Sequence, residues 1–434
     1  MADGNIMKRV ADIIRSDDER RYVVVSAPGK RFSNDIKVTD MLYQSADAVK
    51  TQGTCKEVFE KIRERFVGIV KELKLSLDIE AILDEIEATI DKTGSRDYAA
   101  SRGEYLSARI MAEVLGFEFL DAKDLIFFDE HGALDEKSYS VIAETFKTVK
   151  HAVIPGFYGS DAEGNVKTFS RGGSDISGAI VACGASAEVY ENWTDVSGFL
   201  ACDPRIVPNA RNIHTLSYKE LRELSYMGAS VLHSESIFPV RKANIPIQIK
   251  NTFRPEDEGT LILPSVYYKM QPHSEIVTGI AGKKNYTVLF VEKSMMNSEV
   301  GFTRKILTIL ENHGLCFEHM PSGIDTLSLV IETAQLPEHF IDVLMKEINE
   351  EVHPDYMHAI GNIALVATVG HGMASNVGTS ARLFKALSDA EINVRMIDQG
   401  SSELNIIVGV ANEDCEKCIA AIYHEFFQEE QIAE

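Results

Sequence analysis

Two short β-type runs in this chain end in the same way, and that ending narrows the folds open to it. Tyr22-Val23-Val24-Val25 passes into Ser26-Ala27-Pro28-Gly29, and Ala152-Val153-Ile154 passes into Pro155-Gly156-Phe157. A short, continuously apolar strand is one covered on both faces, as in a parallel sheet. The loop at its C-terminal end is where such sheets hold ligands. Helical patterns fill the space between the two runs. Residues 5–16 carry Ile6, Val10, Ile13 and Ile14 at helical spacing, and further helices are expected at about 40–51, 56–73 and 77–91. Residues 98–115 read as a helix with Glu104 in its first half, and 125–128 as another β-type run. Alternating strands and helices predict an α/β sandwich with a mostly parallel sheet.

The segment Phe169-Ser170-Arg171-Gly172-Gly173-Ser174-Asp175 declares the chemistry. It follows the turn-rich stretch 160–165 and precedes an apolar run with small residues, 176–185, that reads as a helix. Paired glycines at a loop-to-helix junction let the backbone approach a ligand closely. A helix N-terminus gathers unpaired N–H groups and partial positive charge, which suits phosphate. Arg171 adds a planar fork for a carboxylate or phosphate. Ser174 and Asp175 either cap the helix or touch the ligand; a capped helix after a glycine turn is the plainer alternative.

The 434 residues are too many for one ordinary domain, so two or three are expected. With 44 basic against 66 acidic residues the net charge is -22, which argues against nonspecific nucleic-acid or membrane binding but not against a small anionic ligand. No apolar run approaches the roughly 20 residues that span a bilayer. No basic stretch followed by an apolar one opens the chain, so no signal peptide is expected. Cys55, Cys183, Cys202, Cys316, Cys415 and Cys418 are scattered as in a reduced cytoplasmic protein. Cys415 and Cys418 form a lone C-x-x-C in a helical pattern, with no second pair to make a metal site.

Three further stretches stand in a fixed order with the glycine motif: Ser101-Arg102-Gly103-Glu104 before it, then Glu191-Asn192-Trp193-Thr194-Asp195-Val196-Ser197-Gly198 and Asp203-Pro204-Arg205 after it. Together with Val23-Val24-Val25-Ser26-Ala27 they resemble the aspartokinase branch of the amino acid kinase family, over nearly the whole chain. The resemblance implies a three-layer sandwich and phosphoryl transfer from ATP, with Mg²⁺, to the side-chain carboxylate of L-aspartate. Such a transfer needs charge neutralisation, positioning and water exclusion, not a covalent nucleophile. By resemblance Glu104 holds the substrate amino group, Arg171 clamps its α-carboxylate, Ser174 hydrogen-bonds it and Phe157 walls the pocket. Ser26, Thr39 and Asp175 are then expected near the transferring group. Gly172 and Gly173 serve ATP, with Thr194 and Asp195 near adenosine and ribose and Arg205 toward the phosphates. No protein ligand for the metal is implied.

A helix at about 218–227 opens a region that turns back through Ile245-Pro246-Ile247-Gln248-Ile249-Lys250, and polar, proline-containing stretches follow. The boundary is expected near there, giving a catalytic domain over 1–265 and a regulatory region over 266–434. The latter shows a weak repeat. Strand, helix, strand and strand are expected at 286–291, 300–312, 315–319 and 326–331, and again at 363–369, 378–390, 392–397 and 404–410. The two units, about 276–355 and 360–434 and possibly interleaved, resemble a pair of ferredoxin-like α+β ACT domains, the small amino-acid-sensing modules. By resemblance Met296, Ser298, Gly301, Phe302 and Glu318 bind a regulatory amino acid, lysine and/or threonine. A homodimer or larger assembly through the ACT pair is implied, since such assemblies close by symmetry.

The start departs from the family pattern. Aspartokinases open with a strand running into Lys-Phe-Gly-Gly-Ser or Thr, whereas Met1-Ala2-Asp3-Gly4 aligns with what normally follows it. A late start, a shortened chain or a catalytically inactive amino-acid-binding regulator would each account for this. If the chain as it stands is active, another cation such as Lys30 or Lys37 takes the lysine's place. Leu200 and Ser230 stand where the family often has an aromatic and a lysine.

Overall fold

The structure, a computed structural model, describes residues 1–170, 172–229, 231–232, 237–268 and 275–427. Arg171 and Ser230 therefore lie outside the described residues. The chain divides into two compact units, one of residues 1–198 with 231–268 and one of 199–230 with 269–434. The second unit thus takes in the excursion 199–230.

The first unit begins with α1 (Gly4–Arg15), β1 (Tyr22–Val25), α2 (Val38–Gln52), α3 (Lys56–Leu73), α4 (Ile79–Thr93) and α5 (Arg96–Leu115). Caps explain several of these limits. Asp3 accepts from the Ile6 N–H at the start of α1, and Ser95 accepts from the Tyr98 N–H at the start of α5. β2 (Glu118–Phe119), α6 (Lys137–Thr148), β3 (Ala152–Pro155), the hairpin of β4 (Tyr158–Ser160) and β5 (Val166–Thr168), α7 (Gly173–Gly184) and β6 (Tyr190–Thr194) follow.

β1, β3 and β2 form one parallel sheet, in that order. Its two faces are covered by different helices, as the continuous apolar runs require. Val25 and Val153 join the core formed with α1–α5, while Ala152 and Ile154 join that formed with α6 and α7. Tyr22 stacks on Phe146 of α6 with ring centroids 3.7 Å apart. This is the three-layer arrangement.

The run at 125–128, expected as a strand, is not one. Ala122–Asp124 is a 3-10 turn, and Phe127 and Phe128 make only isolated bridges, to Ser160 and Leu134. The apolar residues there are buried by packing beneath α6 rather than by strand pairing; Leu125 and Ile126 belong to that core.

In the second unit come β7 (Phe199–Leu200) and β8 (Asn212–Ile213), paired antiparallel, then β9 (Thr215–Ser217) and α8 (Tyr218–Tyr226). The chain returns to the first unit for α9 (Phe238–Lys242), β10 (Ile247–Asn251), β11 (Thr260–Leu263) and α10 (Ser265–Tyr268). β6 pairs with β10 in parallel and β10 with β11 antiparallel.

The rest of the second unit is β12 (Gly279–Glu292), α11 (Phe302–Asn312), β13 (Thr326–Glu332), α12 (Phe340–Val352), β14 (Tyr356–Val369), α13 (Thr379–Asp389), β15 (Met396–Asp398), β16 (Asn405–Ala411) and α14 (Cys415–Phe427). One antiparallel sheet, ordered β13-β12-β14-β16-β15, carries both repeats, because β12 and β14 each run 14 residues through it. The stretch 315–319 was expected as a strand but contributes only a bridge between His319 and Val330, and 392–397 yields only the three residues of β15. Cys415 and Cys418 are buried in α14, where burial pushes their thiols up, to about 11 and about 12. They are packing residues. Among the described residues no helix is long and apolar enough to cross a membrane.

Candidate functional site

The parallel pairing of β1 with β3 brings their C-terminal loops side by side, with the Gly156 N–H donating to the Val25 carbonyl at 2.9 Å. α7 begins over the same edge. Gly172 sits at φ 57 as its N-cap, and no side chain caps the helix. A Cβ on Gly173 would come within 2.5 Å of the Phe157 ring, and one on Gly156 within 2.9 Å of Ser174. Both glycines are thus demanded by the closeness of loop and helix. Phe157 itself takes φ 77, rare for a bulky residue, and its N–H donates to Ser177 Oγ at 3.0 Å.

α5 approaches the same edge from the other layer. A Cβ on Gly103 would meet Ala27 Cβ at 2.7 Å and Val38 Cγ1 at 3.6 Å. Glycine there brings α5 against both the loop after β1 and the first turn of α2, which carries Thr39. The next residue, Glu104, is only 5% exposed, and its Oε2 has no hydrogen-bond partner. Burial pushes its carboxyl up to about 8, with the Ala27 N–H and the Arg102 charge only partly opposing the shift. Arg102 is held among aromatic rings, 4.4 Å from Tyr98, 4.5 Å from Tyr105 and 5.2 Å from Tyr158. A buried carboxyl with an unshared oxygen is poised to receive a cation.

The loop beyond β1 is anchored by Arg65. Its guanidinium donates to the Ala2 carbonyl at 3.1 Å, to the Gly29 carbonyl at 2.6 Å and to Asp35 at 2.7 Å. Arg31 and Arg65 hold the Asp35 carboxyl well below the usual carboxylate range. Lys30 and Lys37 flank this anchor and are exposed.

On the far side of α7, Asn192 Nδ2 donates to Asp175 Oδ1 at 2.9 Å and the Tyr190 hydroxyl donates to the Asp175 carbonyl at 3.2 Å. Burial, then the Asp175 charge, raises the Tyr190 phenol. Thr194 ends β6, and Asp195 follows it, exposed.

Ser26, Thr39, Glu104, Phe157 and Gly172 to Asp175 therefore gather around one end of the first unit's sheet. Arg205 lies in the excursion 199–230. It belongs to the second unit, is 88% exposed at its side chain, and folds back on Asp203 at 2.6–3.0 Å. Sequence reasoning missed Asn192 and Tyr190 as orienters of Asp175; the available signal was the stretch that opens at Glu191, which contains Asn192 and which Tyr190 immediately precedes.

In the second unit Met296 lies in a 3-10 turn with Ser298, and Gly301 at φ 84 caps α11. Phe302 is buried in that module's core, so any part it has in a site runs through its main chain. Glu318 accepts from the Tyr226 hydroxyl. Its neighbour His319 pairs through Nδ1 with Asp398 at 2.8 Å, while its Nε2 is buried without a partner.

The chain is similar to known proteins along its length. A family profile described as the amino acid kinase family matches residues 1–251, and one described as an ACT domain matches residues 366–426. Aspartokinase 3 of Bacillus subtilis (strain 168) is 38% identical over 445 residues, covering 98% of this chain and 96% of its own. The crystal structure of the Clostridium acetobutylicum aspartate kinase superposes with a TM-score of 0.92 at 53% identity, covering 98% of this chain and 97% of its own. E. coli aspartokinase III, solved in complex with lysine and aspartate, gives a TM-score of 0.73 at 25% identity, covering 98% and 97%.

Proposed function

Since this chain belongs to the aspartokinases, a branch of the amino acid kinase family, we propose that it phosphorylates the side-chain carboxylate of L-aspartate at the expense of ATP, giving 4-phospho-L-aspartate. The comparisons favour this over an inactive regulator. An aspartate side-chain oxygen attacks the γ-phosphorus, the bond to the β-phosphate oxygen breaks, and ADP leaves. The observation that carries the assignment is Glu104, whose buried and unshared oxygen matches a substrate ammonium.

Arg171 clamps the α-carboxylate, Ser174 adds a hydrogen bond and Phe157 closes the pocket. The uncapped N-terminus of α7, with Gly172 and Gly173, suits the phosphates. ATP brings Mg²⁺ on its phosphates, and the ion supplies charge neutralisation there. Ser26 and Thr39 lie near the transferring group, and Asp175 is oriented for it by Asn192. Thr194 and Asp195 serve adenosine and ribose, and Arg205, released from Asp203, turns to the phosphates. The ACT pair binds lysine or threonine through Met296, Ser298, Gly301, Phe302 and Glu318 and inhibits the kinase. The enzyme works in the cytoplasm as a homodimer or larger.

The test is a hydroxamate assay with ATP, Mg²⁺ and aspartate. Aspartyl hydroxamate should form, and Arg171→Ala should raise the KM for aspartate at least tenfold while leaving that for ATP within about twofold, the pattern of a lost bidentate contact. Turnover of glutamate in place of aspartate would overturn the substrate assignment. An unchanged aspartate KM would remove the clamp.

A further inference from the structure

Arg102 precedes Glu104 by two residues on α5 and takes no part in the transfer itself. It is only 5% exposed, and its Nε and Nη2 both donate to Ser101 Oγ, at 3.0 and 2.9 Å. Ser101 Oγ in turn donates to the Tyr98 carbonyl at 2.7 Å, so the guanidinium is held in one orientation. Among the described residues Arg102 makes no ion pair. A buried guanidinium without a carboxylate partner is costly. Here the faces of Tyr98, Tyr105 and Tyr158 stand in for the missing anion.

Two of these rings belong to α5 itself, and the third does not. Tyr158 opens β4, is fully buried, and donates its hydroxyl to Asp121 Oδ1 at 2.7 Å. It directly follows Phe157, which is held at φ 77. A bulky residue keeps such a backbone only where its surroundings over-determine it. Around Phe157 the fastenings are its N–H donating to Ser177 Oγ, its carbonyl accepting from the Phe169 N–H at 2.9 Å, and the immobilised Tyr158. The other strand of the same hairpin is tied to α5 as well, the Thr168 hydroxyl donating to Asp97 Oδ1 at 2.6 Å. One helix thus presents Glu104 and, two residues earlier, grips the strand that follows Phe157.

We propose that Arg102 is a positioning residue of the aspartate site, the clasp between α5 and the β4–β5 hairpin that keeps Glu104 and Phe157 facing one ligand. The inference rests on the kinase reading for the identity of that ligand. Arginine suits the clasp because a planar guanidinium lies flat against rings, whereas a compact ammonium is a point charge. The charge has a second effect. Burial raises the Glu104 carboxyl, and the Ala27 N–H and the Arg102 charge oppose that rise, so Arg102 favours the carboxylate that an ammonium needs. Tyr43 on α2 also faces Glu104. Its phenol is raised by burial first and then by the Asp97 charge, with Arg96 opposing and Glu104 and Asp40 adding, so it stays neutral at neutral pH.

The full chain and three variants are compared in the aspartyl hydroxamate assay across pH. Arg102→Met keeps most of the side chain's length and removes its charge and its plane. It should raise the KM for aspartate about tenfold or more and leave that for ATP within about twofold. It should also move the pH dependence of the aspartate KM upward by about half a unit, because Glu104 then gives up its proton less readily. Arg102→Lys restores the charge but not the plane. Its pH dependence should return to that of the parent, while its aspartate KM stays raised by about threefold or more. Tyr158→Phe keeps the ring, loses the bond to Asp121, and should raise the aspartate KM alone. Where Arg102→Met does not fold, Arg102→Lys and Tyr158→Phe carry the test, and an aspartate KM unchanged in both overturns the inference. So does Arg102→Met with an unchanged aspartate KM, with equal losses for aspartate and ATP, or with an unmoved pH dependence, since Arg102 is then a packing residue only. A parent chain that forms no aspartyl hydroxamate overturns the kinase reading and this inference with it; an active parent beside unaltered variants overturns this inference alone.

Discussion

The Glu104 carboxyl, raised by burial to about 8 from an ordinary 4.5, keeps in the folded chain a proton that the unfolded chain releases. Its contribution to stability is therefore full below about pH 4.5 and is lost as the pH rises through about 8, a penalty on the order of 4 kcal/mol at the alkaline end. Tm of the ligand-free chain should fall between pH 5 and pH 9, and Glu104→Gln should flatten that fall and exceed the parent in Tm at pH 9. An identical slope in the two proteins would mean that Glu104 is ionised in the free state. The same group predicts how substrate binds. An ammonium arriving at Oε2 favours the carboxylate, so aspartate binding at pH 7 should release close to one proton, measured by calorimetry in buffers of different ionisation enthalpy. The release should vanish in Glu104→Gln; its persistence there would move the proton to another group.

At the scale of elements, α5 and the loop after β1 meet only because residue 103 has no side chain. Gly103→Ala should cost about 1–3 kcal/mol, read from denaturant midpoints, because the added Cβ would stand 2.7 Å from Ala27 Cβ and 3.3 Å from Leu42 Cδ1, and both belong to packed elements. It should also raise the KM for aspartate, as Glu104 is displaced with its helix; a stable variant with unchanged kinetics would separate the contact from the site. The helices α1 to α5 were legible in the sequence because each has a regular apolar period, and three of them end at a glycine, Gly53, Gly94 and Gly116. β1 and β3 were legible as short apolar runs between turn residues. The stretches 125–128 and 315–319 were misread because short apolar runs look alike whether a sheet or a helix buries them. α12 went unread, although Leu344, Ile348 and Val352 lie along one buried face. The motif around Glu104 was visible, but its burial was not. A carboxylate in a helix reads as solvated until a neighbouring layer is known to cover it, and that cover is a property of the tertiary fold.

For the whole molecule, the ACT domain match lies in the second unit, and the residues proposed for catalysis lie mostly in the first. Lysine or threonine should raise Tm, by mass action on the folded form, with an effect that grows with the logarithm of effector concentration. Glu318→Ala should abolish the shift while leaving the hydroxamate assay without effector within about twofold; a shift that survives would put the effector elsewhere. The long strands β12 and β14 bear on how such a signal is felt. They pair along both repeats, from Gly279 opposite Val369 to Glu292 opposite Tyr356, broken only by irregularities between Lys283 and Val288. The two repeats thus have no linker between them to bend. Torsion applied at one end of these strands is delivered to the other as rotation of the same backbone, and neither half can melt, swivel or be cut away without dismantling its twin.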